Sequence, residues 1–77
     1  MEWIELELLT DEKVTYRYYP EGKEAFGIVS LMRETGERIH DKPCPEGGSM
    51  YVMQVWPRLE EYQEAGEFPE RAQIAWY

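Results

Sequence analysis

The first twenty positions contain two short segments in which apolar and polar side chains alternate. Residues 2–9 and 14–19 each show this alternation, and the polar segment 10–13 separates them. A period of two residues is typical of a strand that buries one face. We therefore predict that the chain begins with a β-hairpin.

The register of this hairpin follows from keeping the apolar side chains of both strands on one face. Pairing Leu6 with Tyr16 does so, and it places Trp3 beside Tyr19 on the outer face. A shift by two residues preserves the faces as well and stays an alternative. A shift by one residue is excluded because it would mix apolar and charged side chains on each face.

A third strand and a turn follow the hairpin. Residues 26–32 are apolar on both faces and predict a central strand that is covered on both sides. The next segment, 33–37, is predicted to form a turn with Gly36 in the left-handed conformation. We expect this turn to place Ser30 opposite His40, which belongs to a short fourth strand.

The second half of the chain contains one helical pattern, which we predict to be capped by Ser49 and to stop at Gly66. Either this helix continues through Pro57 with a kink, or residues 50–55 form a strand and the helix starts at the proline. We favour the kinked helix because the spacing of apolar residues does not change at Pro57. The apolar positions are Val52, Val55, Trp56, Leu59 and Tyr62.

Together these elements predict an α+β fold in a single small domain, residues 1–77. We expect an antiparallel meander of four strands with the Pro-kinked helix packed on one face, and a fifth strand over residues 72–77. The 77 residues are 43% hydrophobic and 31% charged, a mixture typical of globular proteins.

Five short segments occur in a fixed order along the chain: residues 16–22 (YRYYPEG), 27–30 (GIVS), 35–37 (TGE), 66–69 (GEFP) and 75–77 (AWY). In this order they resemble a family of short uncharacterised proteins from Gram-positive, often gut-dwelling, bacteria. The resemblance implies a bacterial cytosolic protein. It implies no catalytic residue, because no activity is attached to the family.

The charge balance limits the possible partners. The chain has 16 acidic and 8 basic residues, for a net charge of −8, so we expect no direct binding to nucleic acid. No apolar segment reaches the ~20 residues of a membrane helix, and we expect no membrane association. The N-terminal residues 1–5 are acidic where a signal peptide would be basic, and a single cysteine cannot form an internal disulfide. We therefore predict a cytoplasmic location.

His40, Asp41 and Cys44 lie close together in the sequence and are the candidates for chemistry. A stable zinc site needs four such ligands, or three and an open position, so we predict no metal and no cofactor. A thiol nucleophile needs a base and an orienting group, and nothing in this Pro-containing loop fixes His40 against Cys44. A small hydrolase or thiol enzyme is therefore the least favoured function, and we predict no catalytic residue.

Acidic residues crowd the C-terminal half of the predicted helix: Glu60, Glu61, Glu64, Glu67 and Glu70, of which the first four are the candidate partner-binding residues. Acidic residues at this end oppose the helix macrodipole, at a cost of about 0.3–1 kcal/mol each. Because local stability does not favour them, we predict a docking face for a basic protein partner. A solvated surface is the simpler interpretation, and an anionic decoy that mimics nucleic acid is an alternative function.

Trp3 and Tyr19 form a second candidate partner-binding surface, on the outer face of the first hairpin. One helix can cover only one face of the sheet, and exposed apolar patches are rare on soluble monomers. We expect this patch to be covered either by residues 74–77 or by a second copy of the chain in a homodimer.

Overall fold

The structure is a computed structural model that describes residues 1–75. Its elements are β1 (Glu2–Leu9), β2 (Lys13–Pro20), β3 (Gly27–Met32), β4 (Arg38–Lys42), α1 (Ser49–Ala65) and β5 (Arg71–Ile74). The five strands form one antiparallel sheet in the order β4-β3-β2-β1-β5. The predicted α+β meander with a returning fifth strand is confirmed. Residues 76 and 77, which the sequence assigned to that strand, lie outside the described residues.

The core lies between α1 and one face of the sheet. Two tyrosines of β2, Tyr16 and Tyr18, are its largest fully buried side chains. The aliphatic and Trp side chains of α1 pack on them, together with apolar residues of β1, β3 and β5. The core residues of α1 are Val52, Val55, Trp56 and Leu59. The opposite face of the sheet, the open face, is not covered by any other element of residues 1–75.

The hairpin between β1 and β2 has the predicted register over its first half. Trp3 lies opposite Tyr19 and Leu6 opposite Tyr16, but a β-bulge between Leu6 and Leu8 then shifts the pairing by one residue. The alternation of residues 2–9 predicts that Leu8, like Ile4 and Leu6, faces the core, and this prediction is wrong. Leu8 pairs with Thr15 on the open face and remains 42% exposed.

The register between β3 and β4 differs from the prediction by one residue. The N–H of Met32 donates to the carbonyl of Glu37, so Ser30 lies opposite Ile39 and not opposite His40. A shift of one residue moves every side chain to the other face. His40 consequently lies on the helix side of the sheet. Gly36 has the predicted left-handed conformation, with φ of 78°.

The helix is continuous through Pro57, so the alternative with a strand over residues 50–55 is wrong. The predicted stop is confirmed, because Gly66 is left-handed and its N–H donates to the carbonyls of Tyr62 and Gln63. The predicted cap is wrong, since Gly48 is the N-cap and Ser49 begins the helix without a side-chain cap. No helix within residues 1–75 is long and apolar enough to cross a membrane.

Pro57 lies on the exposed side of α1, where its replacement would leave no cavity. Pro57→Ala restores one intrahelical hydrogen bond and removes the clash of the proline ring with the preceding turn. The resulting gain in stability is partly offset, because the unfolded chain without the proline has more conformational entropy. We expect the free energy of unfolding to rise by about 2 kcal/mol in urea denaturation. Pro45→Ala, in the exposed loop before the helix, is the matched control and should change it by less than about 1 kcal/mol. A loss of stability in Pro57→Ala would contradict a continuous helix.

Candidate functional site

Two of the four predicted acidic site residues are engaged in ion pairs with neighbouring arginines. The Glu60 carboxylate accepts hydrogen bonds from Arg38 of β4 at 2.9–3.1 Å. The Glu61 carboxylate lies 3.6 Å from Arg58, one turn earlier on the helix. Both pairs are solvent-exposed, so each adds little stability, but each lowers the negative charge that a partner would meet.

The other two acidic residues, Glu64 and Glu67, lie where the helix ends. Both are exposed, and neither has an ion-pair partner within residues 1–75. A groove of about 580 Å³ opens beside Glu67, and Glu64 lies in the last turn of α1, next to Ala65, which lines the groove. Its lining is Tyr62, Ala65, Gly66, Glu67, Phe68 and Pro69. We call this feature the helix-end groove.

The helix-end groove is built by the reversal of the chain after α1. Gly66 turns the backbone, and the N–H groups of Gly66 and Glu67 donate to the carbonyl of Tyr62 at 2.8 and 3.2 Å. The hydroxyl of Tyr16 then donates to the carbonyl of Pro69 at 2.6 Å and holds this segment against the sheet. Burial raises the pKa of Tyr16, which keeps the phenol protonated as a donor.

Two aromatic rings and a guanidinium give the groove its chemistry. Tyr62 and Phe68 meet edge-to-face with ring centroids 6.3 Å apart. The guanidinium of Arg33 lies 5.2 Å from the centroid of Phe68, while its Nε donates to Gln63. Arg33 places a positive charge at Phe68, while Glu67 and the C-terminal end of α1 place negative charge beside the groove. The ring of Tyr62 and this negative charge suit a further ammonium or guanidinium group on an apolar stem.

Trp3 and Tyr19 lie side by side on the open face, as predicted. Trp3 is 42% exposed and borders a second cleft of about 460 Å³, near the turn at Gly22. The lining of this cleft is Trp3, Ile4, Glu5, Tyr19, Gly22, Lys23, Glu24 and Arg71. Trp3 and Tyr19 lie on the sheet face away from the helix, so they do not form one site with the acidic residues of α1.

On the open face, cationic side chains cover part of the apolar surface. Arg17 and Lys42 lie 4.5 and 4.2 Å from the centroid of the Phe26 ring, which also contacts Tyr19. Ile74, which the sequence offered as a cover for this face, is buried on the helix side. The predicted homodimer through this face stays a prediction.

His40 and Cys44 are both attached to the core through one phenol. The Tyr18 hydroxyl lies 2.7 Å from Nε2 of His40 and accepts a hydrogen bond from the backbone N–H of Cys44 at 3.2 Å. Cys44 is buried. This arrangement fixes the loop after β4 to the sheet, and it does not present the thiol to a substrate.

Asp41 lies on the opposite side of the sheet from His40. Its carboxylate accepts a hydrogen bond from Ser30 at 2.7 Å, and Ser30 in turn lies 2.8 Å from the hydroxyl of Thr15. These bonds satisfy two hydroxyls that are nearly inaccessible to solvent. Within residues 1–75 no group of three His, Cys, Asp or Glu side chains is placed to hold a metal ion.

Glu2 is a buried acidic residue that the sequence analysis missed. It lies in β1 between Pro20 of β2 and Ile74 of β5, and its side chain is completely buried. Neither carboxyl oxygen has a hydrogen-bond partner among residues 1–75. The strand pattern indicated this burial, because Glu2 and the core residue Ile4 are two positions apart and so lie on the same face of β1.

Burial raises the pKa of Glu2 to about 8, because an ionised carboxylate is poorly solvated in the core. The Met1 ammonium acts in the opposite direction, and Glu21 raises the pKa further. Tyr18 and Tyr51 also interact electrostatically with this carboxyl. Glu2 is therefore largely neutral at pH 7 in the folded protein.

Comparison of the chain with protein-family models, with curated proteins and with solved structures gives no match. The resemblance to the bacterial family therefore stays a prediction.

Glu2 predicts a specific pH dependence of stability. The unfolded carboxyl ionises near pH 4.5 and the folded one near pH 8, so the unfolded state loses its proton first. We expect the free energy of unfolding to fall as the pH rises from about 4.5 to about 8, and to level off above that range. Denaturant titrations of Glu2→Gln should show a flatter profile and a more stable protein at pH 8. Glu5→Gln, the neighbouring acid on the open face, should retain the wild-type dependence, and an unchanged profile in Glu2→Gln would contradict this assignment.

Proposed function

We propose that this protein is a small non-enzymatic interaction module that binds a basic segment of a protein partner at the helix-end groove. The observation that carries the proposal is an apolar, aromatic groove lined by Glu67, with a second acidic residue, Glu64, in the adjoining last turn of α1. Neither residue has an ion pair in the described chain. Such a surface accepts the stem of a Lys or Arg on its rings and the charge at its rim.

Charge alone would give this module little affinity. An exposed ion pair is typically worth about 0.2–1 kcal/mol, so two carboxylates account for a small part of a useful binding energy. The apolar lining, which includes Tyr62 and Phe68, supplies the remainder through burial. The net charge of −8 mainly accelerates the encounter with a basic partner, an effect that weakens as salt is added.

The two alternative functions receive less support. A nucleic-acid decoy needs a regular row of free carboxylates, and Arg38 and Arg58 interrupt the row on α1 by pairing with Glu60 and Glu61. A thiol enzyme needs an accessible nucleophile, and Cys44 is buried.

Charge reversal at the groove tests the proposal. A short peptide of alternating lysine and valine serves as the probe, with binding followed by calorimetry at low and high salt. We expect Glu64→Lys/Glu67→Lys to weaken binding by about tenfold or more at low salt, because attraction is replaced by repulsion at the rim. Circular dichroism should show an unchanged fold, since both side chains are exposed.

The matched control is Glu24→Lys/Glu46→Lys, which makes the same change in net charge at two exposed positions outside the groove. This variant should lose only the part of the affinity that comes from the net charge of the protein, which added salt screens. Equal losses in the two double variants would show that net charge alone drives binding, and they would overturn the helix-end groove as the site.

A further inference from the structure

Strand β1 has an edge that its neighbour covers only in part. β1 has eight residues and β5 has four, and β5 pairs with Glu2 to Glu5. The N–H of Leu6 donates to the carbonyl of Glu70 at 2.8 Å, which is the last contact of this kind along the strand. Beyond it, residues 7–9 have no strand partner on this side within the described chain. We call this stretch the free β1 edge.

Exposed leucines occupy both sides of the free β1 edge. Because of the bulge, Leu8 pairs with Thr15 on the open face while Leu9 pairs with Val14 on the helix side. They are 42% and 45% exposed. A cleft of about 360 Å³ runs beside them and is lined by Glu5, Leu6, Glu7, Leu8, Leu9, Glu70 and Arg71. An added strand would find an apolar neighbour on each face of the sheet.

The other outer edges of the sheet have the polar character that protects most proteins from strand pairing. The outer strand β4 has the sequence RIHDK, with four polar or charged residues, and its Arg38 is held by Glu60. The outer strand β5 exposes Arg71 and Gln73. Natural proteins use charged residues in this way to prevent edge-to-edge association. Two consecutive exposed leucines on the free β1 edge depart from that rule.

We propose that the free β1 edge accepts an extended segment of the basic partner as an added β-strand. This inference rests on the proposed function and specifies the conformation of the partner. Unpaired backbone groups select an extended chain, because only that conformation matches their spacing. Leu8 and Leu9 lie on opposite faces of the sheet, so each favours an apolar side chain on its own face of the added strand.

Charge complementarity points to the same partner and disfavours a second copy of this protein. Glu70 borders the cleft and has no ion pair within residues 1–75, so it is available to a Lys or Arg of the added strand. Residues 67–69 line the helix-end groove and residues 70–71 line this cleft, so one short segment of chain borders both. Two copies that each carry −8 would repel one another at this acidic end.

The test uses the same alternating lysine and valine peptide. It compares a change in the peptide backbone with changes in the side chains of the protein. A version of the peptide methylated at two backbone nitrogens keeps its charge but cannot form strand hydrogen bonds, and we expect it to bind about tenfold more weakly. Leu8→Ala/Leu9→Ala should weaken the unmethylated peptide by a similar factor. Met50→Ala/Met53→Ala, which truncates two exposed apolar residues on α1, is the control and should bind normally.

The methylated peptide separates the strand proposal from the proposed function. Equal binding of methylated and unmethylated peptide, still sensitive to Glu64→Lys/Glu67→Lys, would overturn strand addition and leave the helix-end groove in place. An absence of peptide binding to the wild type would overturn both. A dimer in sedimentation equilibrium that Leu8→Ala/Leu9→Ala dissociates would assign the free β1 edge to a second copy and overturn the choice of partner. The methylated peptide leaves the protein unaltered, so its result stands even if a variant fails to fold.

Discussion

Coverage of the sheet by a single helix on one face is the constraint on which the rest of this structure depends. A chain of 77 residues has a small interior, and here that interior lies between α1 and the inner side chains of the sheet. The open face must consequently be compatible with water. It meets this requirement with polar and cationic side chains, as when Arg17 and Lys42 contact the ring of Phe26. Among residues 1–75, the large apolar side chains that remain exposed are Met1, Trp3, Leu8, Leu9, Met50 and Met53.

Two tyrosine hydroxyls attach the loops to this one-sided core. Tyr16 holds the segment after α1 through Pro69, and Tyr18 holds the segment before α1 through Cys44. Both rings are buried in β2, the middle strand of the sheet. The helix-end groove, which Pro69 lines, therefore belongs to a positioned backbone segment. A binding surface on such a support loses less conformational entropy when a partner binds.

The sequence predicted those parts of the fold in which the two faces of an element differ strongly in polarity. The faces of β1 and β2 over the first half of the hairpin were predictable because a shift by one residue would bury Arg17. The register of β4 was not, because β4 contains a single apolar residue, Ile39, and either face is acceptable to such a strand. Glu2 was missed although its parity pointed inward, since a buried carboxyl without a partner violates the usual preference for exposure.

Of the candidate site, only its acidic charge could be predicted from the sequence. The crowding of Glu64 and Glu67 at a helix end is visible in the sequence, whereas their freedom from ion pairs depends on where β4 places Arg38. The free β1 edge depends on the difference in length between β1 and β5. It also depends on a bulge that no residue of β1 predicts from the sequence. Relations of this kind arise from tertiary structure and not from local pattern.

We propose that one extended basic segment binds both at the free β1 edge and at the helix-end groove. Intermolecular nuclear Overhauser effects in a complex with the alternating lysine and valine peptide test it most directly. We expect contacts from the peptide backbone to Leu8 and Leu9, and from its lysine side chains to Tyr62 and Phe68. Contacts confined to Trp3 and Tyr19 on the open face, or to the edge of β4, would contradict it.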